Sequence, residues 1–249
     1  MNNDYIVIIC AYNCQNFIVE AVQSVAVQKE VDYGIIVVDD ASTDDTVKIV
    51  KNLMEHNPKI RLVENKTRTR SAAWNQYQAV KKHVTNPNSV ICIVDGDDYL
   101  LDEVVLKRLD MFRNGVVPMH AGCTHFKLNT NQRLVHGFSD IRRKWGPYHM
   151  RFFRAYMYDA VPEEQYYKDG ELIGPASDYA FIFSVLDILG ENNWLTVNII
   201  AYMWRYDLEG HNDHLVNRDE QKANTTYLLN REPLPQLTEE QLEEIKNNF

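Results

Sequence analysis

Apolar residues fall along this chain in short blocks, and the blocks alternate between two periods. Tyr5–Ala11 is a continuous, mostly β-branched run; Tyr33–Val38 is a second, Ile60–Val63 a shorter third and Val90–Val94 a fourth. Unbroken runs of this kind predict strands buried on both faces of a parallel sheet. Between them the apolar positions recur at helical spacing. Phe17, Ala21, Val25 and Gln28, with Val22 beside them, predict a helix over about 16–28; Val47, Val50, Leu53 and Met54 predict a second, and Ala72, Ala73, Tyr77 and Val80 a third. Ser42 followed by Asp45 reads as a capping box for the second helix, and Thr69 or Ser71 as the cap of the third. Such alternation predicts an α/β fold with helices on both faces of the sheet and right-handed crossovers.

The second half is less regular. Leu101–Arg113 predicts a helix; Val116–Lys127 and Leu134–Val135 predict strands about a turn at Asn129–Asn131; Thr196–Trp204 is again β-rich. Phe152, Tyr156 and Ala160 lie at helical spacing and read as core. Residues 216–249 are mostly charged and polar. Thr238–Gln241 is a capping box opening a helix whose thin apolar stripe, Leu242, Ile245 and Phe249, predicts a docking helix or a contact between copies of the chain, not chemistry.

The polar residues that matter sit where the apolar blocks end. In open sheets of this kind ligands bind outside the carboxyl ends of the strands. Tyr12 and Asn13 follow the first strand, Asp39 and Asp40 the second, and Asp95, Asp97 and Asp98 the fourth. Clustered carboxylates repel one another, and a hard divalent cation such as Mn²⁺ or Mg²⁺ removes that repulsion while accepting a phosphate in the same shell. Gly96 lets the backbone turn so that Asp95 and Asp97 face one site. No G-x-G-x-x-G or Walker A loop is present, which disfavours an ordinary dinucleotide or P-loop site.

Composition narrows the classes. The 249 residues suit one large domain or two intimate halves, and a net charge of −9 argues against a broad basic face that grips nucleic acid, although Arg68 with Arg70 and Arg142–Lys144 form local patches. The four cysteines include no CxxC pair, which argues against zinc and for a reducing cytoplasm. Met1–Asp4 shows no basic start of a signal peptide, and no apolar run reaches membrane-span length, so a cytoplasmic location is expected, with a peripheral membrane association left open.

The set Ile8–Asn13, Val37–Thr46 and Val94–Asp98, with strand ends roughly 25 to 30 residues apart, resembles family 2 of the inverting, sugar-nucleotide-dependent glycosyltransferases of the GT-A fold. The match covers about the first 105 residues, and VDDASTDDT is its most specific piece. The resemblance implies a nucleotide-sugar-binding half over 1–105, an acceptor-binding and catalytic half of the same domain over 106–215, and a helical tail over 216–249. It implies that Ala11, Tyr12 and Asn13 line the nucleotide and that Asp39 accepts from the base, usually uracil. It places Arg70, with Arg68 in reserve, near base or phosphates, and Asp95 by the ribose and the metal. Asp97 becomes the direct ligand of Mn²⁺ or Mg²⁺, and Asp178 the general base that opens a helix. Arg205 and His211, with His214 behind it, belong to a segment that closes over the diphosphate. The donor would be a nucleotide diphosphate sugar, foremost a UDP-sugar, and the acceptor a hydroxyl of a glycan, a lipid-linked sugar or another molecule. The chain departs from the family pattern at Cys10 for Pro, Ala41 for Gly, Trp74 for Arg and Ser177 for Glu. On the residues alone Asp178 also reads as a helix N-cap, Asp40, Asp44 and Asp45 as acids favouring a helix start, and Asp98 as a brace of its loop. Two other classes remain open: a sugar-1-phosphate nucleotidyltransferase, against which the Tyr12–Asn16 loop counts because it lacks glycine and basic residues, and a non-catalytic nucleotide- or glycan-binding protein.

Overall fold

The computed structural model describes residues 1–113, 124–127, 133–134, 150–190, 200–205 and 217–249. The first half follows the expected alternation: β1 (Tyr5–Ala11), α1 (Ile18–Ala26), β2 (Tyr33–Asp39), α2 (Thr46–His56), β3 (Ile60–Glu64), α3 (Ala72–His83) and β4 (Val90–Asp95). Then come β5 (Tyr99–Leu100), α4 (Val105–Arg113), β6 (Thr124–Lys127), β7 (Arg133–Leu134), β8 (Arg151–Arg154), α5 (Met157–Ala160), a 3₁₀ turn at Glu163–Tyr166, β9 (Tyr167–Lys168) and β10 (Glu171–Leu172). The remaining elements are α6 (Ser177–Leu189), β11 (Ile200–Trp204), α7 (Arg218–Asn230) and α8 (Glu239–Asn248).

The main sheet has the order β3-β2-β1-β4-β8, parallel except for β8, which runs antiparallel along β4. Because β1 lies in the middle, both of its faces must be covered, and its apolar run shows why. Tyr5, Val7 and Ile9 enter one core with α1, α4 and Val50 of α2, while Ile6 and Ile8 enter the other with α3, α5 and α6. A second sheet, β5-β11-β6-β7, extends the first core.

Several local expectations are corrected. Gln28 lies beyond α1, and its buried amide serves α4 instead of the α1 core: Oε1 accepts the Leu106 N–H at 3.0 Å, and Nε2 donates to the Ser24 and Asp102 carbonyls. The helix expected from Leu101 starts only at Val105, because Tyr99–Leu100 pairs with β11. Phe152, Tyr156 and Ala160 are core, yet Phe152 sits on β8, so the helical spacing was coincidental. Of the strands expected around Asn129–Asn131, Thr124–Lys127 and Arg133–Leu134 are described and pair antiparallel. In the tail the Thr238–Gln241 capping box forms as expected, and Leu242, Ile245 and Phe249 pack against the chain's own core.

Candidate active site

The strand register fixes the rim. Ala11 pairs with Asp39 and Cys10 with Asp95, so the last residues of β1, β2 and β4 end side by side. The loops after β1 and β2 are laced together. The Asn13 N–H donates to Ser42 Oγ at 2.9 Å, the Thr43 N–H to Asn13 Oδ1 at 2.8 Å, the Cys14 N–H to Thr46 Oγ1 at 2.8 Å and the Gln15 N–H to Asp44 Oδ2 at 3.1 Å. Ser42 therefore caps the β1 loop and not α2, whose N-cap residue Asp45 makes no side-chain cap bond. Asn13 holds φ 53°, and Ala41, Arg70 and Ala176 hold 62°, 60° and 66°. Left-handed backbone at non-glycine residues is costly and concentrates at functional sites.

Asp39 is 2% exposed. Its Oδ2 accepts the Ser42 N–H at 2.9 Å, but its Oδ1 has no hydrogen-bond partner among the described residues. A buried carboxylate oxygen without a donor costs free energy until a donor arrives. Tyr12 lies half-buried at the same mouth, with the Arg68 guanidinium 3.4 Å from its ring centroid. Arg70 turns elsewhere: its N–H donates to Asp40 Oδ2 at 2.9 Å and its guanidinium meets Glu220 of α7 at 2.6 Å. Asp40, expected to favour a helix start, instead gathers the loop ahead of α3. It accepts from Asn65 Nδ2, from both the N–H and the hydroxyl of Thr69, and from the Arg70 N–H, each at 2.9 Å. Burial alone would raise its pKa; these donors outweigh burial and hold it low.

The acidic turn after β4 is braced from the second sheet. Asp98 is buried and accepts the Tyr202 hydroxyl at 2.8 Å and the Arg205 N–H at 2.7 Å. The same hydroxyl accepts the Asp95 N–H at 2.9 Å. Arg205 reaches the Asp97 carbonyl and Glu20 with its guanidinium and lies against Phe17 and Tyr99, so its charge holds this turn to α1. Gly96 is required for closeness: its N–H donates to the Cys10 carbonyl at 2.9 Å, and a Cβ there would stand 2.9 Å from that oxygen. Burial, followed by the charges of Asp97 and Asp95, pushes the Asp98 carboxyl well above the usual range.

Asp178 lies in the first turn of α6. It is not the N-cap, which is Ala176. Its Oδ2 meets Arg151 Nη1 at 2.7 Å, and Arg151 Nη2 lies 3.9 Å from Asp95 Oδ2. Burial raises the Asp178 and Asp95 carboxyls, and Arg151 opposes the rise in both. Ser71 is the N-cap residue of α3, one of the two expected, but its side chain makes no cap bond; Ser177, which departs from the family pattern, accepts the Ala73 N–H at 3.2 Å instead. Trp74 stacks on Tyr77 with centroids 5.2 Å apart and meets Tyr166 and Tyr167 in T-shaped contacts, which is packing and not a phosphate contact. Arg151 and Tyr202 were missed in the sequence. A basic residue opening an apolar strand-like run, Arg151-Phe152-Phe153, was the available signal.

Among the described residues no group of three or more His, Cys, Asp or Glu side chains is arranged as a metal site. Asp95 and Asp97 supply two hard oxygen donors beside a carboxylate whose proton affinity their charges raise, a donor set suited to a divalent cation that completes its shell with phosphate and water. His211 and His214 lie outside the described residues.

Comparison with known proteins agrees with this arrangement. The family model described as "Glycosyl transferase family 2" matches residues 6–162. A chondroitin synthase of Pasteurella multocida (strain Pm70) is 25% identical over 231 residues, covering 89% of this chain and 22% of that protein. Among solved structures, S. aureus TarS 1-349 in complex with UDP superposes with a TM-score of 0.63 at 18% identity, over 100% of this chain and 70% of that one. The same protein with UDP-GlcNAc gives 0.60 at 16%, over 100% and 71%. The mannosyltransferase PcManGT from Pyrobaculum calidifontis, with GDP-Man and Mn2+, gives 0.62 at 16%, over 94% and 66%. The chain spans 14%, 32% and 22% of the length of the first three curated relatives. The family model covers well over half of the residues: the chain belongs to glycosyl transferase family 2.

Proposed function

We propose that the chain transfers a sugar, with inversion, from a nucleoside diphosphate donor, foremost a UDP-sugar, to an acceptor hydroxyl. The observation that carries this reading is Asp39 Oδ1, a buried acceptor awaiting a donor at the rim it shares with Asp95 and Asp97. Uracil presents N3–H to such an atom; cytosine has no proton there. Neighbouring structures that hold UDP, UDP-GlcNAc and GDP-Man with Mn2+ support a nucleotide-sugar donor and a divalent metal.

In this reading Ala11, Tyr12 and Asn13 line the nucleotide, Arg68 covers the Tyr12 ring, and Asp95 and Asp97 hold Mn²⁺ or Mg²⁺. The bound cation would neutralise charge on the departing diphosphate. Asp178 takes the proton of the acceptor hydroxyl as its oxygen attacks the anomeric carbon. The bond from that carbon to the β-phosphate oxygen breaks, and its electron pair leaves with the nucleoside diphosphate. Among the described residues no helix is long and apolar enough to cross a membrane.

The test is a panel of UDP-, GDP- and CDP-sugars, read as nucleoside diphosphate release with Mn²⁺. We expect release from a UDP-sugar, its loss on chelation and return on adding metal, and its loss in Asp97→Ala with an unchanged circular dichroism spectrum. Full activity in Asp97→Ala removes the assignment.

A further inference from the structure

Asp178 and the metal-side aspartates come from parts of the chain that share no hydrogen-bonded strand. Asp95 ends β4, whereas Asp178 opens α6, which packs on α3, α5 and α7. Arg151 joins them. It starts β8, whose antiparallel register places it opposite Ile93, two residues before Asp95 on the strand that carries it. Its backbone is therefore fixed to β4, and its guanidinium reaches across to α6, bonding Asp178 Oδ2 at 2.7 Å while Nη2 stands 3.9 Å from Asp95 Oδ2. The Arg151 side chain is only 8% exposed and that of Asp178 20%. Asp178 and Asp95, the two carboxylates that its guanidinium approaches, both favour the charged form of Arg151. A planar guanidinium serves such a span better than an ammonium, because its fork fixes direction as well as distance.

We propose that Arg151 is a positioning residue: it holds the Asp178 carboxylate in register with the Asp95–Asp97 side of the site, so that the base faces the acceptor oxygen when donor is bound. This rests on the transferase reading above. In this proposal Arg151 acts through Asp178 and not by contacting sugar or nucleotide.

The experiment is a double-mutant cycle on the full chain, with hydrolysis of whichever UDP-sugar the unmodified chain turns over and calorimetric binding of UDP with Mn²⁺. Arg151→Met should lower kcat on the order of 100-fold, the range of a lost general base, while KM and the UDP Kd stay within about threefold. Arg151→Lys should recover about tenfold of that loss. In an Asp178→Asn background Arg151→Met should add less than about threefold, because the partner it serves is already disabled. A purely structural ion pair would lower the melting temperature and leave kcat of the folded Arg151→Met variant within about threefold of the parent. That outcome, multiplying losses, or a tenfold weaker UDP Kd with kcat kept, overturns the proposal and leaves the transferase reading standing. Absence of turnover with every nucleotide sugar removes both. Should Arg151→Met fail to fold, the same cycle run with Arg151→Lys decides.

Discussion

In the proposed function a single atom, Asp39 Oδ1, would carry specificity for the base. One carboxylate oxygen is satisfied by the Ser42 N–H, and the other is buried and waiting. Asp39→Asn keeps the shape, but its amide can satisfy Ser42 only through its oxygen, which turns NH₂ toward the base. Two donors then face each other where uracil N3–H arrives. We expect UDP binding to weaken about 10- to 100-fold, the weight of one hydrogen bond to a charged group, with CDP gaining relative to UDP. Isothermal titration measures both, and unchanged UDP affinity would take Asp39 out of the base site. Ala41 is the complementary case. It follows Asp40 at φ 62°, where the family pattern has Gly. A Cβ in this region costs about 1–2 kcal/mol, part of which glycine gives back through its looser unfolded chain. Ala41→Gly should therefore stabilise by about 0.5–1 kcal/mol, read from the urea midpoint, and no gain would mean that the loop holds no strain there.

At the scale of elements, the strands and the acids at their ends were legible because a buried parallel strand must be apolar throughout, so its end is marked by the first polar residue. Asp39, Asp95 and Asp97 stand at such ends. The caps were legible only where the bond is local, as at Thr238–Gln241; elsewhere a cap is a bond between a donor and whatever oxygen the fold delivers. Ser42 and Asp45 have capping-box spacing, yet Ser42 bonds Asn13, and the α3 N-terminus is served by Ser177, more than a hundred residues away. Arg151 stayed hidden for a related reason: it opens a strand-like run, but the sequence does not say that its partners are carboxylates while the guanidinium of Arg154 meets the Asn88 carbonyl. Gly96 was noticed for its freedom to turn, whereas its use lies in how near it lets the acidic turn come to β1. Gly96→Ala would push a methyl against the Cys10 carbonyl and Ala11, both on the central strand. We expect a cost of about 1–3 kcal/mol with a larger proportional loss of metal-dependent turnover, since the displaced turn carries Asp97. Thermal melts beside activity assays separate the two effects, and a variant as stable and active as the parent would show that the turn can yield.

Across the whole molecule, the site is a seam. In the proposed reading the nucleotide side is built by β1, β2 and α3 and the base comes from α6, while the acidic turn is braced by Tyr202 and Arg205 of the β11 segment. Holding these parts together concentrates buried negative charge, and burial raises the proton affinities of Asp95, Asp98 and Asp178. In the proposed function a divalent cation carrying a diphosphate would relieve that charge at Asp95 and Asp97, while the nucleoside would satisfy Asp39. Metal and nucleotide should therefore stabilise the chain together more than the sum of either alone. With UDP and Mn²⁺ at about a hundred times their joint Kd, linkage gives roughly 2.7 kcal/mol. For a chain of this size that amounts to a rise of about 5–10 °C in melting temperature. EDTA should remove most of the rise and leave only the nucleotide's own share. If UDP stabilises equally with and without metal, the acidic turn is not where the diphosphate is held, and Asp95 and Asp97 serve the fold alone.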